Sequence, residues 1–175
     1  MGRIISDLSQ WHLWGCPLLI FVLCGTQKQD FSRMIREVEK LADDHEIVVQ
    51  AGHTAYTSDK MKIVDFMAGD ELKTCFNRAD YVMTHGGAGS MFESIKAGKK
   101  SLVFPRLKKY GEHVDDHQLQ LAGKLQALGH LMVFNDGDEI CQVFHDLQHF
   151  KMKPYGLSGT ISESIDARLQ VIFSD

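Results

Sequence analysis

Two patterns of apolar residues alternate along this chain. Short unbroken runs come at Leu18-Leu19-Ile20-Phe21-Val22-Leu23, Ile47-Val48-Val49, Tyr81-Val82-Met83, Ser101-Leu102-Val103-Phe104 and Leu131-Met132-Val133-Phe134. Continuous apolar runs predict strands buried on both faces, as in parallel sheets. Lys62-Ile63-Val64-Asp65-Phe66 predicts a shorter strand, third in chain order. Between the strands apolar residues recur at helical spacing: Phe31, Met34, Ile35, Val38, Leu41 and Ala42, then Leu72, Cys75, Phe76 and Ala79. The same spacing returns at Leu119, Ala122, Leu125 and Leu128, and at Ile140, Val143, Phe144 and Leu147. Met91 to Ala97 predicts a further helix after the fourth strand. Strands alternating with helices predict an α/β parallel sheet with right-handed crossovers. For six strands the expected order is 3-2-1-4-5-6, with ligands at the switch point outside the carboxyl ends of strands one and four.

Local signals punctuate this pattern. Asp30 and Asp70 are placed to cap the first two helices, Asp115 or Asp116 the fourth, and Gly129 to stop it. Ser90-x-x-Glu93 has the form of a capping box. Residues 1–16 lack periodicity and hold Trp11 and Trp14, which predicts an irregular leader. Residues 17–150 form one expected domain. Residues 151–175 predict a linker with Pro154, Gly156 and Gly159, then a helix packed on the same domain, opened by Thr160-x-x-Glu163.

Composition narrows the classes. A chain of 175 residues suits one domain. A net charge of −4 argues against a general nucleic-acid binder, whose contacts are mostly to phosphate. Four scattered cysteines without a Cys-x-x-Cys pair predict a cytoplasmic protein lacking disulfides and structural zinc. The run Leu13 to Cys24, broken by Gly15, Cys16 and Pro17, is short of the ~20 residues that span a bilayer.

The densest chemistry lies at Thr84-His85-Gly86-Gly87-Ala88-Gly89-Ser90, between a strand and a helix. Glycines there let backbone approach a ligand, and the following helix offers unpaired amides and a positive dipole end, which suits phosphate. The stretch is neither a Walker loop nor a dinucleotide fingerprint. Gly25-Thr26-Gln27, after strand one, converges on the same crevice. Glu93 is either the end of a capping box or an acceptor for a ribose diol. His85 is either a hydrogen-bonded strand end, a phosphate donor or a base. Glu112-His113-Val114-Asp115-Asp116-His117-Gln118 suits sugar hydroxyls better than a His113/His117 metal site. Arg106-Leu107-Lys108-Lys109 predicts a solvated positive loop, and Asp136-Gly137-Asp138 a turn and helix cap.

Four segments together resemble a known family. They are Val22 to Gln27, Gln50-Ala51-Gly52-His53, Ala79 to Ser90 and Pro105 to Gln118. They resemble small bacterial glycosyltransferase subunits of capsule and exopolysaccharide synthesis. They are also similar to the catalytic subunit of the eukaryotic two-part dolichol-linked N-acetylglucosaminyltransferase, and to the C-terminal half of family 28 glycosyltransferases. The likeness covers residues 18–150. It implies a Rossmann-like sheet with helices on both faces, the donor-binding half of a glycosyltransferase B fold. It implies a UDP-sugar substrate with no cofactor or metal, and inverting transfer to a lipid-linked saccharide. Donor contacts would come from Gly25, Thr26, Gln27, His85, Gly86, Gly87, Gly89 and Ser90 at the diphosphate. Glu93 would take the ribose, and Asp116, His117 and Gln118 the sugar. UDP-galactose is the favoured donor; UDP-N-acetylglucosamine, or a non-catalytic nucleotide-sugar-binding regulatory subunit, is the alternative. One domain of this size leaves the acceptor to a membrane-associated partner subunit, which would hold this chain at the inner face of the membrane. The partner is expected to supply the base, with His85 and Glu112 the local candidates. Cys24 and the leader depart from the family pattern.

Overall fold

The protein is described by a computed structural model covering residues 17–154. Its elements run β1 (Leu19–Leu23), α1 (Ser32–Glu39), β2 (Glu46–Gln50), β3 (Lys62–Val64), α2 (Gly69–Arg78) and β4 (Tyr81–His85). They continue with α3 (Ala88–Lys96), β5 (Lys100–Phe104), α4 (His117–Ala127), β6 (Met132–Val133) and α5 (Ile140–His149). The six strands pair in parallel in the order β3-β2-β1-β4-β5-β6, as the sequence predicts.

Strand periodicity sorts the core into two layers. Ile20 and Val22 of β1 face one side, where they join Met34, Ile35 and Val38 of α1 and Ile140, Phe144 and Leu147 of α5. Phe21 and Leu23 face the other side, with Phe76 of α2 and Val82 of β4. On that same type of layer Val103 and Val133 meet Met91, Phe92 and Ile95 of α3 and Ala122 and Leu125 of α4. Because both faces of β1 and β4 are covered, their runs need no polar alternation. Each such buried side chain contributes roughly 1.5–3 kcal/mol.

Several helix starts differ from expectation. Phe31, not Asp30, holds the cap position of α1; Asp30, just before it, accepts from the Ser32 amide (3.2 Å) and hydroxyl (2.6 Å). Asp70 does not cap α2; Ala68 holds the cap position, and Asp70 and Glu71 sit in the first turn against the positive dipole end. The fourth turn differs most. Gly87 is extended and α3 begins at Ala88, so Ser90 is already inside the first turn and Ser90-x-x-Glu93 is not a capping box. The Gly129 and His130 amides close α4 onto the Gln126 and Leu125 carbonyls, as a stop at Gly129 requires. The leader, and the linker and helix expected beyond residue 154, lie outside the described residues.

Candidate functional site

The β1–α1 and β4–α3 turns meet at the switch point, and His85 joins them. Its ring is seated between two glycines. A Cβ on Gly25 would lie 2.6 Å from Nε2, and one on Gly87 would lie 2.1 Å from Cε1. Gly25 also needs its positive φ of 83°. The Gly87 amide donates to His85 Nδ1 (3.0 Å), which puts the ring proton on Nε2, facing Ser90 Oγ at 3.2 Å. Ser90 Oγ in turn donates to the Gly87 carbonyl (3.4 Å).

Burial holds His85 down to about 4, helped by the positive charge of Arg106 and by His113. The ring is therefore neutral at pH 7, a hydrogen-bond donor through Nε2 and a weak base. Between pH 6.5 and 4 the unfolded chain binds a proton here that the folded chain does not. Wild type should then lose about 3 kcal/mol more stability than His85→Gln on going from pH 7 to pH 4. Denaturant unfolding at the two pH values checks this. Equal losses in both proteins would show that folding does not hold the ring's protonation down.

The third loop, between β5 and α4, packs onto the glycine turn. A Cβ on Gly86 would lie 2.8 Å from Gln118 Cβ and 3.3 Å from Pro105 Cα. Gln118 Oε1 accepts the Arg106 amide (3.2 Å), which leaves its NH2 group for other partners. Asp116 Oδ1 accepts the Lys108 amide (3.0 Å). Asp116 holds the cap position of α4 without a side-chain cap bond, and Asp115 just before it accepts the His117 amide at 3.0 Å. Both His113 and His117 lean their Nδ1 atoms on Asp115, at 3.2 and 2.9 Å. Thr26, Gln27, Gly89, Glu93 and His117 are exposed around the crevice.

Two charged residues are placed otherwise than the sequence predicts. Glu112 is buried, not at a rim. Its carboxylate takes Arg33 in a bidentate pair (2.8 and 2.9 Å) and the Leu107 amide (2.9 Å). Arg106 belongs to no solvated patch: it is 0% exposed and bonds three carbonyls. Lys109 does face solvent, pairing with Asp136, to which Tyr110 also donates (2.8 Å). Asp138 closes its turn on the Asn135 amide (2.7 Å), while Glu139, not Asp138, caps α5. A cavity of about 310 Å³ opens beside this turn, with Pro105, Leu107, Asp116, Leu119, Phe134 and Asp136 in its wall. Cys24, the departure noted in strand one's turn, is buried and its thiol is pushed up to about 12, so it is inert. Arg33, on α1, carries no mark in the sequence, because an arginine on an amphipathic helix reads as solvent-facing.

A parallel sheet of this order, with a glycine turn at the switch point, defines a Rossmann-like domain. The glycotransferase of kitacinnamycin superposes with a TM-score of 0.60 at 18% identity, over 88% of this chain and 40% of that one. The chain belongs to the glycosyltransferase family 28 C-terminal domain family, whose model matches residues 19–168. It is 26% identical over 145 residues to the UDP-N-acetylglucosamine transferase subunit ALG13 of Candida glabrata, covering 82% of this chain and 69% of that protein. It is 40% identical over 124 residues to the human subunit of the same name, covering 64% of this chain but 10% of that protein. Neither relative is named for capsule or exopolysaccharide synthesis, so that part of the expected kinship gains no support.

Proposed function

We propose that this chain is the donor-binding subunit of an inverting glycosyltransferase that moves N-acetylglucosamine from UDP-N-acetylglucosamine to a lipid-linked saccharide. The observation that carries this is the convergence of three loops on the switch point in a chain of this transferase family. The expectation of UDP-galactose gives way, because both relatives are named for the other donor.

In this reading the diphosphate lies over the Gly86-Gly87 backbone and the first-turn amides of α3. The first intrahelical bond recorded there is from Met91 to the Gly87 carbonyl, so Ala88, Gly89 and Ser90 have amides to offer. Neutral His85 adds an Nε2 donor once Ser90 is displaced. The β1–α1 turn closes the other side with Gly25, Thr26 and Gln27. Asp116, through its second oxygen, the His117 ring and the Gln118 NH2 group recognise the sugar. The acceptor's proton goes to a group on a partner subunit, since His85 is a weak base and Glu112 is spent on Arg33. Contact with the membrane also falls to the partner; among the described residues no helix is long and apolar enough to cross one.

Glu93 provides the test. With the capping box gone, its carboxylate has no part in starting α3, and it is exposed one turn beyond the glycines. Glu93→Ala should change stability by under about 0.5 kcal/mol. A lost charge-assisted bond to the ribose, ~1.5–3 kcal/mol, should weaken UDP roughly 10- to 150-fold. Calorimetric titration of both proteins reads this. Unchanged UDP affinity would remove Glu93 and the ribose placement from the account.

A further inference from the structure

We propose that Arg106 is a positioning residue for the transfer: its buried guanidinium staples the β1–α1 turn to the β5–α4 loop and so sets the spacing between the diphosphate and sugar contacts. This rests on the donor-site reading above. Nη2 donates to the Cys24 carbonyl (2.9 Å) and Nη1 to the Gln29 carbonyl (2.9 Å), so one side chain grips both ends of the turn that holds Gly25, Thr26 and Gln27. Nη1 also donates to the Glu112 carbonyl (3.2 Å), six residues along its own loop. The Arg106 amide meets Gln118 at the head of α4. Beneath the guanidinium lies the Phe31 ring, 4.3 Å from its central carbon to the ring centroid.

Three features separate this role from mere filling. Arg106 is 0% exposed, so it does not itself touch a ligand in the crevice. Among the described residues no carboxylate pairs with it directly; the nearby Glu112 carboxylate is taken by Arg33, whose Nη2 also holds the Pro105 carbonyl (2.9 Å). Nε has no partner at all among the described residues. An apolar side chain could fill this space without desolvating a charge, and such replacements are often neutral or stabilising. What an apolar residue cannot do is bridge three carbonyls on two loops. Lysine cannot either, because its ammonium is a point and not a planar fork.

Arg106→Lys keeps the charge and loses the bridge. UMP would contact the glycine turn and Glu93, whereas UDP-N-acetylglucosamine would also span the β1–α1 turn and the β5–α4 loop. Calorimetry on the full chain should show UDP-N-acetylglucosamine weakened about tenfold or more, the size of two lost hydrogen bonds, with UMP within about threefold. Phe31→Leu, at the α1 end of the β1–α1 connection, removes the ring beneath the guanidinium but none of its three carbonyl bonds; it should give the same selectivity in milder form, which keeps the test open if Arg106→Lys does not fold. Equal weakening of both ligands, or of neither, overturns the proposal. If wild type binds neither nucleotide, the donor-site reading is what fails, and the staple is then judged without ligand. Amide NMR signals of residues 25–29 and 107–112 should shift and broaden together in the variant while those of α3 stay fixed. Wild-type signals in either loop would show that Arg106 does not hold the two together.

Discussion

Glu112→Ala should lower the melting temperature by roughly 6–20 °C. Removing one partner of a buried ion pair costs about 3–5 kcal/mol, because the other charge is left without compensation, and each kcal/mol shifts a chain of this size by about 2–4 °C. The Glu112 side chain is 5% exposed and that of Arg33 is 19%, which places the loss toward the lower half of the range. The Leu107 amide also loses its acceptor. The double change Arg33→Met with Glu112→Leu should recover most of the loss, since a pair replaced by apolar groups strands no charge. Differential scanning calorimetry measures all three proteins. The sequence made Glu112 a candidate base; a base would behave otherwise. An unchanged melting temperature with turnover of the assembled enzyme down ~10²–10⁴-fold would return it to that role.

Gly87→Ala should cost ~1–3 kcal/mol of stability and weaken UDP-sugar binding by about tenfold or more. The backbone of Gly87 is extended, so alanine suits its φ and ψ. The conflict is with His85, whose Cε1 stands 2.1 Å from where the new Cβ would be. The ring cannot retreat toward β1, because Gly25 already abuts its other side. It must leave its seat, breaking the bonds to the Gly87 amide and to Ser90, and the turn that would receive the diphosphate deforms with it. The cause can be isolated. In a His85→Ala background the added methyl has room, so Gly87→Ala should there be nearly neutral, a coupling of ~1–3 kcal/mol in a double-mutant cycle. Additive costs would mean that the clash with His85 is not the reason for the glycine.

The framework of this site was legible because it rests on local pattern. Six apolar runs between helical stripes fixed the strand order, and that order put the Gly25 and His85 turns at one crevice. The edges were not legible to the residue. Whether α3 starts at Ala88 or at Met91 turns on Gly87 staying extended while its amide serves the His85 ring, a contact made only once the chain has folded. Charged residues were least legible. Arg106 reaches Cys24, 82 positions away, and Arg33 reaches Glu112 across 79. Nothing near either arginine in the chain distinguishes it from a solvated neighbour such as Lys109.

The choice of donor remains the most direct test. Titrating the purified full chain with UDP-N-acetylglucosamine and with UDP-galactose, under one buffer and by calorimetry, should show both binding through the shared diphosphate and ribose contacts. UDP-N-acetylglucosamine should bind more tightly by about three- to tenfold, the worth of one further hydrogen bond. Tighter binding of UDP-galactose would contradict the assigned substrate, and binding of neither would contradict the account of the crevice as a donor site.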